Sequence, residues 1–442
     1  MEKKAKRRVV IIGAAGRDFH NFNTFFREND AYEVVCFTAE QIPGIAGRKY
    51  PPVLAGKLYP DGIKIYEEKE LEKIIKEQKI DVGVLSYSDL PYKTVGNISA
   101  RVNASGADFW LMGPNETQIK SKKPLLAVCA VRTGSGKSQT SKYISSLINA
   151  AGKRCVAIRH PMPYGDLAKQ AVQRFATYED LDKNECTIEE MEEYEPYVEK
   201  GLVIYSGVDY GAILREAEKE ADVIIWDGGN NDTSFYKPDF LITIADPHRP
   251  GNEVGYYPGE VNVRMADVVV INKVDSAKPE DVKTVEENVK RVNPRARILK
   301  VASRVTVEKE KELKGKRVIV VEDGPTLTHG GMKYGAGIVA ARNAGAVVVD
   351  ARPYAVGSIK ATYAKYSHLD RILPAMGYGV KQMKELEETI ANAGKDIDAV
   401  VIGTPIDLGR HIKIKKPSYR VAYEYVDEGD ALKKILKEKG FL

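Results

Sequence analysis

Cysteine is scarce, with four residues in 442. Cys36, Cys129, Cys155 and Cys186 form no Cys-x-x-Cys pair and have no histidine at metal spacing, which argues against a disulfide framework and a structural zinc site. Three of them stand in apolar, strand-like runs (VVCF, AVCAV, RCVAI) and read as small core residues. Long apolar runs are also missing: nothing approaches the ~18 consecutive apolar residues of a membrane span. The start, MEKKAKRRVVIIGAAG, imitates a signal peptide. Its apolar core is short, however, and Arg17 and Asp18 follow at once, which suits a strand entering a glycine turn. The Asn-x-Ser/Thr triplets at Asn97, Asn103 and Asn115 are then coincidental, and a soluble, cytoplasmic protein is expected. Excess charge is lacking as well. The 67 Lys and Arg against 62 Asp and Glu leave +5, too weak a field to imply a nucleic-acid or membrane partner. An anion must therefore be handled by local clusters. With 29% charged and 43% hydrophobic residues, wholesale disorder is excluded.

The chain is about three times the ~150 residues of a typical domain, so two or three domains are expected. Short β-branched runs alternate with helical patterns rich in Lys and Glu, the signature of parallel α/β structure. Strands are expected at residues 8–12, 33–37, 81–85 and 109–112, with a helix near 67–77. A second series falls at 125–131, 154–158, 223–226, 240–244, 268–271 and 297–301, with a helix over 136–151. A third falls at 317–321, 346–349, 399–402 and 421–425. The polar stretch 113–124 and the charged connector 307–316 mark the boundaries. The fold class is therefore α/β, with three-layer parallel-sheet domains: a Rossmann-like substrate-binding domain (1–120), a central nucleotide-binding domain (121–310) and a C-terminal α/β segment (311–442). The acidic stretch 178–200 reads as a solvated helix pair, with a mobile lid as the alternative.

The strongest motif is Val131-Arg132-Thr133-Gly134-Ser135-Gly136-Lys137-Ser138, preceded by a strand and followed by a helix. That is the setting of a phosphate-binding P-loop, with backbone N–H groups of Gly134, Ser135, Gly136, Lys137, Ser138 and Gln139 available to phosphate. Lys137 can reach the β- and γ-phosphates, and the Ser138 hydroxyl can ligate Mg²⁺. One departure is plain: Val131 stands where the pattern asks for glycine. Downstream, VIIWDGGNN ends a buried strand in Asp227, placed to hold Mg²⁺ through water. Asp246, His248 and Arg249 follow another strand in one short loop, and Asn272-Lys273-Val274-Asp275 resembles the guanine-reading motif of P-loop GTPases. The N-terminal turn holds Gly16, Arg17, His20 and Asn21. It lacks dinucleotide-binding spacing, because Ile11 stands at the first glycine position, yet it suits an anion. Arg159-His160 and Thr328-His329-Gly330-Gly331 are similar clusters.

IIGAAGRDFHNFN, VRTGSGKSQTS, IRHPMPYGDL, WDGGNNDTSF, ADPHRPG, EDGPTLTHGGM and GAGIVAARNAGA together resemble the cyclic 2,3-diphosphoglycerate synthetase family over essentially the whole chain. The resemblance implies an ATP-dependent ligase, with GTP possible and Mg²⁺ required. It would close 2,3-diphosphoglycerate into a ring through an intramolecular phosphoanhydride, releasing ADP and phosphate. Members are known from heat-loving methanogens, where the product is a compatible solute. Lys137, Asp227, Arg159, His160, Asp246, His248 and Arg249 are then the catalytic candidates. Asn272, Lys273 and Asp275 join the P-loop in nucleotide binding, Ser138 and Asp227 hold the metal, and Gly16, Arg17, His20 and Asn21 take the phosphorylated substrate. A homodimer is expected. The alternatives are a GTP hydrolase of the metallochaperone type, for which no Cys-x-Cys or His-rich motif is found, and a nucleotide-gated regulatory protein.

Overall fold

The computed structural model describes residues 5–14, 16–40, 45–160, 165–229, 231–328, 333–375 and 380–442. They form two compact units, one of residues 1–174, 202–300 and 429–442 and one of 175–201 and 301–428.

Two parallel sheets build the first unit. The N-terminal sheet runs Lys49–Tyr50, Ile63–Glu67, Tyr32–Ala39, Arg7–Ile12, Val82–Leu85, Asp108–Leu111, parallel except for the two-residue edge strand. Its central strands cross over in Rossmann fashion, and the order reverses between Arg7–Ile12 and Val82–Leu85. The turn after Ile12 thus opens at the crevice where such sheets bind ligands. Val9 and Ile11 face one core while Val10 and Ile12 face another, so both sides of the sheet are covered. Strand Ile63–Glu67 is absent from the sequence reading, because its alternating Lys64 is exposed and the run is short.

The second sheet has eight strands in the order Gln173–Phe175, Val203–Ser206, Cys155–Ile158, Val223–Asp227, Leu125–Ala130, Phe240–Ala245, Val268–Ile271, Arg297–Lys300. Leu125–Ala130 is buried at every residue and lies between Val223–Asp227 and Phe240–Ala245, so three strand ends deliver their loops to one place. An antiparallel ribbon of Leu90–Pro91 with Tyr256–Tyr257 ties the two sheets of this unit together. The four cysteines are unpaired, three of them buried.

In the second unit the sheet order is Ala302–Val307, Ser418–Val426, Ala399–Gly403, Arg317–Asp323, Val347–Val348, with Leu373–Ala375 also beside Arg317–Asp323. Ala302–Val307 is antiparallel to its neighbour, so the stretch read as a connector begins inside a sheet. The acidic segment forms the helices Tyr178–Lys183 and Ile188–Val198, each opened by a capping box at Thr177 and Thr187. Tyr194 and Tyr197 are buried, Glu195 accepts from the Asp407 backbone at 2.9 Å, and Glu199 pairs with Arg420 at 2.9 Å. These acids are therefore partnered inside the second unit. No described helix is long and apolar enough to cross a membrane.

Candidate functional site

The glycine loop leaves Leu125–Ala130 and enters the helix Lys137–Ala150 through Gly134 (φ 79°) and Gly136 (φ 104°), conformations that only glycine adopts without strain. A Cβ on Gly136 would collide with the Asn272 amide. The loop is braced from outside by three side chains. Asn272 Nδ2 donates to the Ser135 carbonyl at 2.9 Å, Lys273 Nζ to the Gly134 carbonyl at 2.6 Å, and Arg249 Nη2 to the Thr133 carbonyl at 2.7 Å. Asp246 joins two of these braces, lying 2.8 Å from Arg249 and 3.2 Å from Lys273. Burial works to raise its carboxyl, but Lys273 and Arg249 overcome that and hold it below the usual carboxylate range. His248 Nε2 lies 2.9 Å from Ser276 Oγ, beside the Asn272–Asp275 turn rather than at Lys137. Gln139 sits in the first turn of the helix that the loop opens.

Val131 is explained by its neighbour. A Cβ on Gly259 would run into the Val131 carbonyl, so the close backbone approach lost at position 131 is supplied from the helix Gly259–Met265.

At the heart of the site, Asp227 is fully buried and accepts from Lys137 Nζ at 2.7 Å, Ser141 Oγ at 2.8 Å and Arg159 Nη1 at 2.8 Å. Arg159 Nη1 also donates to Ser138 Oγ at 2.8 Å. One cationic nitrogen thus bridges the serine hydroxyl and the aspartate oxygen. These two oxygens converge on a positive centre, so the donor set fits a hard divalent cation. Burial, and then Arg159, pull the Lys137 ammonium down to about 8 against the partial support of Asp227.

The N-terminal turn is brought to the same unit but is already engaged. Arg17 is buried, donates to the Thr233 carbonyl, approaches Asp232 Oδ1 at 3.4 Å and lies 4.7 Å over the Phe235 ring. His20 Nε2 lies 2.6 Å from the Thr117 carbonyl and its ring stacks on Phe235 at 4.0 Å. Burial first, and then Arg17, push its pKa well below the ordinary value, so it is a neutral ring. Asn21 Nδ2 donates to Ser86 Oγ at 2.9 Å, and the Gly16 N–H donates to Asp18 at 3.0 Å. Gly16 is also the floor under His160, whose Nδ1 stands 3.2 Å from Asp232 Oδ2. Asp232 therefore gathers Arg17 and His160, and it is the site residue that sequence reasoning missed. Its signal was present as the second aspartate of WDGGNNDTSF, five residues after Asp227.

In the second unit, Glu322, the penultimate residue of the strand Arg317–Asp323, is buried and accepts from the N–H groups of Gly335 at 3.1 Å and Ile338 at 2.9 Å. Burial outweighs those bonds and raises its carboxyl to about 7. Of the nearby Thr328-His329-Gly330-Gly331 cluster, residues 329–331 lie outside the described residues.

The P-loop domain of the cyclic 2,3-diphosphoglycerate synthetases matches residues 199–302, which carry Asp227, Asp232, Asp246 and Asn272–Asp275. Over 440 residues, the chain is 62% identical to the arginine synthetase ArcE of Thermococcus kodakarensis, covering 99% of this chain and 98% of that one. The chain belongs to the cyclic 2,3-diphosphoglycerate synthetase family. As a member it is a nucleotide-binding, ATP-dependent enzyme of the ligase type. Among solved structures it is similar to LpxK from Aquifex aeolicus, crystallised with ATP, at 14% identity and a TM-score of 0.43, covering 79% of this chain and 96% of that one. The hydrogenase maturation factor HypB from Archaeoglobus fulgidus matches 41% of this chain and 81% of its own, at 16% identity and a TM-score of 0.27.

Proposed function

We propose that this synthetase makes arginine. The observation that carries the reading is the 62% identity to an arginine synthetase along 99% of the chain. A guanidinium group differs from a ureido group by one nitrogen in place of oxygen, and that oxygen leaves only when activated. The γ-phosphoryl of ATP, passed to the ureido oxygen, makes it a phosphate leaving group. An ammonia equivalent then forms the new C–N bond, and the products are arginine, ADP and phosphate. Positioning and charge neutralisation dominate such a transfer. Lys137 and Arg159 would meet the triphosphate, and Ser138 and Asp227 would hold Mg²⁺, which shields phosphate charge when bound.

Charge at the N-terminal turn supports the same reading. Arg17, the cation expected there to take a substrate phosphate, is already paired with Asp232. An acceptor with two phosphates and a carboxylate calls for surplus cations, whereas a zwitterionic ureido amino acid does not. Cyclisation of 2,3-diphosphoglycerate is the second reading, favoured by the family match at residues 199–302. It shares the phosphoryl-transfer step and differs in using a substrate phosphate as the nucleophile. The test is incubation with Mg-ATP and either the ureido analogue of arginine plus ammonium, or 2,3-diphosphoglycerate, with products followed by mass spectrometry and ³¹P NMR. Arginine formed in step with ADP supports the first reading; a cyclic phosphoanhydride and no arginine overturns it.

A further inference from the structure

We propose that His160 is the proton acceptor for the attacking amine and that Asp232 is its positioning residue, an inference that rests on the arginine-forming reading. His160 lies two residues beyond the strand Cys155–Ile158, directly after Arg159. Arg159 reaches Ser138 and Asp227 on the phosphate side, while His160 turns to Asp232. The imidazole is held between two glycines. A Cβ on Gly229 would stand 2.6 Å from Nδ1, and one on Gly16 would collide with Nε2. Only residues without a side chain leave room for this ring, which marks its position as built.

The two nitrogens have different tasks. Nδ1 stands 3.2 Å from Asp232 Oδ2, and in the proposed step a proton held on that side leaves Nε2 as the acceptor. Nε2 is buried in a side chain only 9% exposed and has no hydrogen-bond partner among the described residues. The neighbouring histidine sets the contrast: His20 spends its Nε2 on the Thr117 carbonyl. Among the described residues, the charged and titratable groups around His160 are Asp232, Arg17 on the far side of that carboxylate, His20, and Tyr210 at 6.3 Å between ring centroids.

The chemistry asks for such a group. Ammonium, the main form at neutral pH, has no lone pair. In the proposed step, its proton passes to Nε2 and the freed nitrogen pair forms the C–N bond to the ureido carbon. The C–O bond then breaks, and its electrons leave with the phosphate. A phosphate nucleophile already carries lone pairs, so a ring-closing reaction has no such use for the dyad.

The test separates two steps. Phosphoryl transfer alone is read by positional isotope exchange in ¹⁸O-labelled ATP with the ureido analogue and no amine. Guanidinium formation is read with ammonium and with hydroxylamine, which is already uncharged at neutral pH. His160→Gln should slow the ammonium reaction about 10²-fold more than the exchange, a loss of the size general-base removal gives, and hydroxylamine should recover most of that difference. Asp232→Asn should shift the pH midpoint of the ammonium reaction. Equal losses in both steps with no relief by hydroxylamine overturn the inference while the arginine reading stands. Wild-type protein that exchanges label but forms no guanidinium product overturns both.

Discussion

Replacing Lys137 by methionine should stabilise the protein while ending its activity. The Lys137 ammonium is buried against Asp227, yet it titrates near 8 where a free lysine titrates near 10.5. At ~1.4 kcal/mol for each tenfold change in proton affinity, keeping it charged at neutral pH costs about 3 kcal/mol. The cost arises because burial and Arg159 together outweigh the pairing with Asp227. Methionine is neutral and similar in length, and Asp227 retains Arg159 and Ser141 as partners. Lys137→Met is therefore expected to gain about 1–3 kcal/mol in urea unfolding at pH 7. Because the folded-state value is depressed, the penalty is complete below about pH 8 and disappears as pH rises towards 10.5. The gain over wild type should shrink across that window. Nucleotide-dependent turnover should fall by at least about 10³-fold, since the ammonium would meet phosphate charge in the transition state. A variant destabilised by about 2 kcal/mol at pH 7, or a pH-independent difference, would refute the electrostatic reasoning.

Gly259→Ala should weaken nucleotide affinity by more than about tenfold, or ~1.4 kcal/mol, because the new methyl displaces the Val131 carbonyl and with it the start of the loop; calorimetry with ADP checks this. Glu322→Gln should flatten the pH dependence of Tm in the second unit. Its raised carboxyl makes wild type most stable below about 4.5 and costs it up to about 3 kcal/mol as pH rises through about 7, so Tm of wild type relative to the variant should fall between those values. Asp275→Asn tests base choice by competition among ATP, GTP and XTP: a guanine-reading carboxylate predicts a shift away from GTP, and an unchanged order of affinities would leave Asn272 and Lys273 as braces of the loop only.

The alternation of β-branched runs with charged helices was enough to read parallel α/β layers. The sequence GSGKS after a strand was enough to place the phosphate loop, and a carboxylate ending the VIIWD strand was enough to mark Asp227. Each is a local pattern whose meaning lies in a few consecutive residues. The tertiary structure decided what depends on residues far apart in the chain. Val131 breaks the P-loop pattern on paper, but Gly259, more than a hundred residues later, supplies the close approach. The acidic stretch 178–200 looks solvated because its density of carboxylates suggests water, yet Glu195 and Glu199 find the Asp407 backbone and Arg420 more than 200 residues away. Arg17 reads as an anion-binding residue until Asp232, 215 residues on, claims its guanidinium and stands beside His160. Local composition reports which charges a segment carries; only the packed chain reports which of those charges are already matched, because burial makes pairing obligatory and the partner is chosen in space.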